Sequence, residues 1–268
     1  MITSSANGKV KQVMNLTKKA KARKESGLFV AEGLRMFKEI PRDRIESLFV
    51  SESFLKNPEG RKVIGSMNYE EVADDVFKTM SDTATPQGVL ALVKQYAYTI
   101  DDILDRPGPA LLMILDTIQD PGNLGTILRA GEGAGITGVV MNDTTADVYN
   151  PKVIRSTMGS VCRVPFVYTA GLPETLAKIK KRGVRLYAAH LSGRNNYEKE
   201  DYTVDTGFLI GNEANGLSDE TAAMADTYVK IPMMGKVESL NAAVAASVLM
   251  FEAARSEERR VGKECRSR

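Results

Sequence analysis

The chain is poor in the residues that build metal and disulfide sites. Its 268 residues include two cysteines, Cys162 and Cys265, and one histidine, His190. That set cannot assemble a disulfide framework or a cysteine/histidine zinc cluster, so the expected chemistry is metal-free. No apolar run reaches the roughly 18 residues that span a bilayer, and the opening stretch MITSSANGKVKQ lacks the apolar core of a secretory signal. These absences lead to the expectation of a soluble, cytoplasmic protein. A large excess of one charge is also missing, the formal net charge being +2. The final segment SEERRVGKECRSR (256–268) is polar and nearly aperiodic, and reads as a disordered tail or a vector-derived scar. It holds five Lys/Arg and three Glu, so the charges of the remaining chain balance.

What is present is ample apolar content, 43%, enough for one large or two modest domains. Charge is uneven along the chain: Lys9, Lys11, Lys18, Lys19, Lys21, Arg23 and Lys24 all precede the first acid, Glu25. Such a run on a helix can attract a phosphate backbone, and it is equally compatible with a solvated helix face. Beyond it, periodicity predicts strands at 27–31, 45–50 and 87–94 and helices at 32–40 and 74–81, a small α/β unit over residues 1–97. A polar stretch over 98–109, with one helical turn at 100–104 and closing in Arg106-Pro107-Gly108-Pro109, reads as a linker.

A second α/β unit is predicted over 110–255. LLMILD (111–116) is the continuously apolar strand of a parallel sheet buried on both faces. Strands at 138–142, 164–168, 184–191, 207–211 and 227–232 alternate with helices through 127–134 and at 151–160, 172–182, 218–224 and 238–255. This alternation predicts a mainly parallel sheet with helices on both faces. Ligands in such sheets sit at the carboxyl ends of strands, which singles out 116–125, 189–193, 211–216 and 231–241.

Gly131, Gly133 and Gly135 invite a dinucleotide reading, but they are spaced G-x-G-x-G and lie near a helix end rather than in the turn that opens it. Close helix packing and a C-terminal cap account better for Gly133 and Gly135. Ser239 and Asn241 stand at the start of the last helix, where either a ligand contact or a helix cap fits, and Leu240, Val244, Val248 and Phe251 are expected to face inward. His190, at a strand end, fits a catalytic role or a half-buried ring satisfied by a carbonyl. Cys162 reads as a small packed apolar residue.

Taken together, NLGTILRAGEGAG (123–135), FLIGNEANGLS (208–218) and IPMMGKVESLNAAVAASV (231–248) resemble, in order, the three motifs of the SpoU (TrmH-type) branch of the SPOUT RNA 2'-O-ribose methyltransferases. FVAEGLRMFKEI (29–40) and TPQGVLALV (85–93) are similar to the ribosomal-protein-like α/β sandwich that precedes the catalytic domain in many members. The resemblance implies a trefoil-knotted C-terminal domain, S-adenosylmethionine as cofactor, and a homodimer whose active site is completed across the interface. Matched to the motifs, Gly211, Ile231 and Leu240 would contact the adenosyl group, with Leu191, Ser192, Gly216 and Met233 nearby. Asn123, Arg129, Glu213, Ser239 and Asn241 would carry the chemistry, Glu213 and Asn123 holding the arginine. A guanidinium is protonated in proteins, which makes phosphate anchoring a safer role for Arg129 than proton removal.

Lys9, Lys11, Lys18, Lys19, Lys21 and Arg35 are assigned to RNA, ribosomal in preference to transfer RNA. An RNA-binding or ribosome-assembly factor on the same fold without turnover is the alternative, and a nucleotide-dependent oxidoreductase is disfavoured by the misplaced glycines.

Overall fold

A computed structural model describes residues 1–190, 193 and 195–266, with side chains as far as Ser256. Two compact units emerge: Met1–Tyr96 with Asp147–Cys162, and Ala97–Ala146 with the chain from Arg163 onward. No helix among the described residues is long and apolar enough to cross a membrane.

The first unit opens with α1 (Gly8–Lys18) and α2 (Ala20–Ser26). The basic run expected on one helix therefore occupies two, broken at Lys19, whose backbone is extended. Arg23 accounts for the break. Its Nη1 donates to the Leu16 and Thr17 carbonyls at 2.7 and 3.3 Å, groups that a continued helix would have used itself. Arg23 is 3% exposed and paired with Asp147 at 2.6 Å, so it is a buried structural cation, not a surface one.

Next come β1 (Leu28–Glu32), α3 (Leu34–Glu39), β2 (Ile45–Ser51), α4 (Glu52–Lys56), α5 (Pro58–Ile64), β3 (Glu70–Val72), α6 (Asp74–Met80) and β4 (Val89–Lys94). The sheet order is β1-β4-β2-β3, with β4 antiparallel to both neighbours and β3 parallel to β2. Strand alternation sends Val30, Phe49, Leu90 and Leu92 to one face, where they meet Val10, Val13 and Leu16 of α1 and Phe77 and Met80 of α6.

The second unit begins with α7 (Ile100–Leu104), β5 (Leu111–Leu115), α8 (Pro121–Ala134) and β6 (Gly138–Asn142). Residues 147–162, including α9 (Pro151–Thr157), lie next in sequence but pack in the first unit. There Tyr149 stacks on Phe29 of β1, and its hydroxyl accepts from Tyr96 N and donates to Tyr96 O. The second unit resumes with β7 (Phe166–Thr169), α10 (Leu172–Lys181), β8 (Arg185–Ala189), β9 (Asn195–Asn196), β10 (Thr206–Ile210), α11 (Asp219–Ala223), β11 (Thr227–Lys230) and α12 (Ala242–Arg266). Every strand pairing is parallel, in the order β7-β6-β5-β10-β8-β11-β9. One face packs Leu112, Ile114, Val140 and Leu209 against Ile103 of α7 and Leu172, Leu176 and Ile179 of α10. The other lies beneath α12, which packs on α8 and over β5 and β10.

The last helix departs from expectation in three ways. It starts at Ala242 instead of near Glu238, because Asn241 accepts hydrogen bonds from the amides of Ala243 and Val244 and so caps it there. It also runs on to Arg266, past Arg255, in a stretch of Glu, Arg and Lys with no proline to stop it. Its buried stripe is Ala243, Ala246, Leu249, Met250 and Ala253, whereas Val244 and Phe251, expected inside, are 48% and 51% exposed. Small residues on the buried side let α12 approach α8 closely. At Gly131 an added Cβ would lie 2.3 Å from Ile136 Cδ1 and 3.4 Å from Met250 Sδ, so this glycine, more than Gly133, is required by packing. Gly135 ends α8 in the left-handed conformation (φ 77°), the cap that its position suggested.

Candidate active site

Strand order reverses between β5 and β10, and in a parallel sheet the crevice beyond the strand ends at such a reversal is where a ligand fits. The cavity itself lies one strand over from that reversal, where the loops that follow β8, β10 and β11 enclose about 670 Å³, within the range of cofactor sites. Gly211, Gly216, Ile231, Met233 and Leu240 line it, together with Glu213 and Ser239. Leu191 and Ser192 lie outside the described residues. Gly211 cannot carry a side chain: a Cβ would sit 2.1 Å from both Gly216 C and Leu217 N, because the 211–217 turn folds back on itself in direct backbone contact. Gly193 is similarly constrained against the Val229–Lys230 backbone, with a Cβ 2.7 Å from Val229 C.

The polar motif residues are joined by one run of hydrogen bonds. Glu213 Oε1 accepts from Asn123 Nδ2 at 2.9 Å, and Asn123 Oδ1 accepts from Asn241 Nδ2 at 2.9 Å. The same carboxylate accepts from the amides of Gln119 (3.2 Å) and Asp120 (3.1 Å), at the turn that opens α8. Burial opposes ionisation of Glu213, but the bonds from Asn123 and these amides outweigh it and hold the carboxyl below its ordinary range. Asp120 caps α8 by accepting from Asn123 N, with Pro121 at the first helical position, where a missing N–H costs nothing. Segments ninety and more positions apart in sequence therefore meet side chain to side chain.

Arg129 stands apart from this run. It is exposed on α8 and makes no hydrogen bond or ion pair with a described residue, so within one chain Glu213 and Asn123 grip the start of α8 instead of the guanidinium. Ser239 is exposed at the cavity and does not cap α12. His190 lines the cavity, half-buried, with its ring stacked on Tyr228 at 5.3 Å. Cys162 is half-buried.

Of the residues assigned to RNA, Lys9 pairs with Glu70, and Lys21 lies 3.7 Å from Glu25. Lys11, Lys18, Lys19 and Arg35 are exposed and unpaired among the described residues.

Sequence reasoning did not single out Asp116, Thr117, Asn142, Asn212 or Ser218. Asp116 is 5% exposed at the end of β5. Its Oδ1 accepts from Asn142 Nδ2 (2.8 Å), and its Oδ2 from the amide (3.0 Å) and hydroxyl (2.6 Å) of Ser218. Burial opposes ionisation here too, and the bonds from Ser218, Thr221 and Thr117 together outweigh it, keeping the carboxyl below its ordinary range. Thr117 adopts φ 62°, unusual for a β-branched residue. Its amide donates to Asn142 Oδ1 and its carbonyl accepts from Asn212 Nδ2. One signal was available in the sequence, an acid closing a wholly apolar strand.

Comparison with known proteins bears on this arrangement. Residues 110–251 match the SpoU rRNA Methylase family, and residues 7–91 match the MRM3-like substrate binding domain. The chain is 31% identical over 253 residues to the 23S rRNA (guanosine(2553)-2'-O)-methyltransferase RlmP of Bacillus subtilis, covering 93% of this chain and 97% of that protein. It is similar to the crystal structure of the SpoU methyltransferase AviRb from Streptomyces viridochromogenes in complex with AdoMet, with TM-score 0.86 and 28% identity over 94% of this chain and 98% of that one. The AdoMet-bound rRNA methyltransferase from Sinorhizobium meliloti matches with TM-score 0.80 and 30% identity, over 95% and 97% of the two chains. With its three polar motifs joined beside one cavity and both family matches in sequence order, the chain belongs to the SpoU rRNA methylase family.

Proposed function

We propose that this protein transfers a methyl group from S-adenosylmethionine to a ribose 2'-hydroxyl of RNA, ribosomal in preference to transfer RNA, and that it works as a cytoplasmic homodimer. The observation that carries the reading is the Glu213–Asn123–Asn241 run, which ties all three motifs together beside a cavity of cofactor size. The preference for ribosomal RNA is supported by the Bacillus subtilis relative, a 23S rRNA methyltransferase.

The cavity fits the cofactor on its own chemistry. Ile210, Leu217, Val229, Ile231 and Leu240 offer apolar walls for a purine, while the close-packed backbone at Gly211 leaves no side chain in the way of main-chain contacts. Gly211, Gly216, Ile231, Met233 and Leu240 would hold the adenosyl group, with Leu191 and Ser192 beside them. When bound, the cofactor supplies a methyl carbon already made electrophilic by its sulfonium. The protein's share of the work is therefore alignment of the hydroxyl and help with its proton. Arg129, exposed and unpaired among the described residues, is suited to anchor the phosphate of the target nucleotide. Ser239, at the cavity wall, would orient the hydroxyl, and Asn123 and Asn241 hold the start of α8 and the start of α12 in mutual register.

Two finer readings complete the proposal. The insertion of β11 between β8 and β9 and the tight passage of Gly193 along β11 support a trefoil knot in the second unit. Val244 and Phe251, exposed apolar residues on α12, support burial against a second copy, which would bring a partner's groups to Arg129. The test is incorporation of labelled methyl groups into bulk RNA, followed by mapping of 2'-O-methyl sites in cells lacking the protein. Transfer to a ribose of ribosomal RNA is the expected result. Cofactor binding with no transfer to any RNA would instead leave an RNA-binding assembly factor on this fold.

A further inference from the structure

The wall of the cavity formed by residues 211–217 is not held by its own helices or strands. Its two ends are gripped by residues 116 and 117, at the tip of β5. At one end Asn212 Nδ2 donates to the Thr117 carbonyl at 2.8 Å, and at the other Ser218 gives both its amide and its hydroxyl to Asp116 Oδ2. Between these points Asn212 Oδ1 accepts the amides of Ala214 and Asn215, and Asn212 and Gly216 exchange backbone hydrogen bonds at 2.8 and 2.9 Å. The turn is thus a closed loop whose two ends hang from two adjacent residues, while Glu213 between them is bonded to the opening of α8.

Those two residues are themselves over-determined. Asn142, at the end of β6, donates to Asp116 Oδ1 and accepts from Thr117 N, fixing a left-handed Thr117 that would otherwise relax. Turning the Thr117 peptide out of this conformation would carry its carbonyl away from Asn212. Asp116 is the group on which the arrangement depends: a buried carboxylate that only accepts, facing only donors.

From this geometry we infer that Asp116 is a positioning residue for the cofactor site, acting through Ser218 and Thr117 to set the shape of the 211–217 wall. The inference rests on the reading of that cavity as the S-adenosylmethionine site. Asp116 touches neither the cavity nor the Glu213–Asn123–Asn241 run, so its removal should weaken cofactor binding without removing a catalytic group.

The experiment is calorimetric titration of the full chain with S-adenosylmethionine, together with steady-state methyl transfer, on the wild type and on Asp116→Asn, Ser218→Ala, Ser218→Thr and the Asp116→Asn/Ser218→Ala double variant. Asp116→Asn presents an amide where two donors converge, and is expected to weaken cofactor affinity by about tenfold or more. KM for the cofactor should rise in parallel and kcat should move much less, a split that a general loss of folded protein would not produce. Ser218→Ala should weaken affinity in the same direction, Ser218→Thr should restore it, and the double variant should be no worse than Asp116→Asn alone. A folded Asp116→Asn that binds the cofactor within about twofold of the wild type would overturn the inference, as would additive losses in the double variant. If Asp116→Asn does not fold, unchanged affinity in Ser218→Ala overturns it, and a loss rescued by Ser218→Thr sustains it. Wild-type protein that fails to bind the cofactor would sink the reading of the cavity itself, and this inference with it.

Discussion

At the scale of single residues, the site separates groups that hold the protein together from a group left free to act. Asn123 and Asn241 spend their side chains on one another, on Glu213 and on the α12 cap. Arg129 has no partner among the described residues. Replacing Arg129 by alanine should therefore cost little stability and leave cofactor binding mostly intact while lowering methyl transfer by roughly 10²-fold or more. Near-normal turnover would remove Arg129 from the mechanism. The two carboxylates make a different prediction. Asp116 and Glu213 are both held below their ordinary values, so the unfolded chain binds protons more readily than the folded one, and their contribution to stability is present above the unfolded values. It is lost as pH falls below about 4 and through the depressed folded values. Acid unfolding of Glu213→Gln should show a shallower fall in stability over that window, and slopes identical to wild type would contradict the assignment.

Helices and strands are placed by simpler rules, and their failures are informative. Continuous apolar strands and alternating helices made the parallel sheet legible, down to the helical turn at Ile100–Leu104. The face of α12 was not legible. An alanine-rich helix presents more than one plausible stripe, and the choice between Ala243/Ala246/Leu249/Met250 and Leu240/Val244/Val248/Phe251 depends on what it packs against. Here the partner is α8, and two glycines of that helix differ in how tightly they are packed. Gly131→Ala should destabilise the protein by about 1–3 kcal/mol through overpacking on Ile136. Gly133→Ala should be neutral or stabilising by up to about 1 kcal/mol, because its Cβ would meet only Phe251 at an ordinary 3.6 Å. Equal thermal shifts in the two variants would show that packing does not require glycine at Gly131.

For the whole molecule, the proposed dimer and the proposed grip on RNA give separable expectations. Exposed Phe251 is the natural probe of the first: Phe251→Asp should shift the protein toward monomer in sedimentation or light scattering and lower transfer to RNA. A stable dimer with full activity would place the interface elsewhere. Among the lysines expected to meet RNA, Lys9 already has an acidic partner, while Lys11, Lys18 and Lys19 are exposed and unpaired among the described residues. Replacing those three by glutamine should weaken RNA affinity and flatten its dependence on salt, by a slope of about 0.7–0.9 for each phosphate no longer neutralised. An unchanged salt slope would return them to the solvent.

Periodicity, apolar content and the order of three short motifs were enough to read the class of fold and the family, and to point at four strand-end junctions of which three contribute residues to the cavity, because each is written in residues close together along the chain. The contacts that shape the site are not local. Asp116 reaches Asn142 across 26 positions and Ser218 across 102, and Asn123 reaches Asn241 across 118. A hydrogen bond needs its two groups within about 3 Å of each other. Only the packing of the parallel sheet brings these loops to one edge, and that packing decides that Phe251 faces outward and that an aspartate at the end of an apolar strand secures the wall of the cavity, just as the packing of the first unit decides that Arg23 is buried.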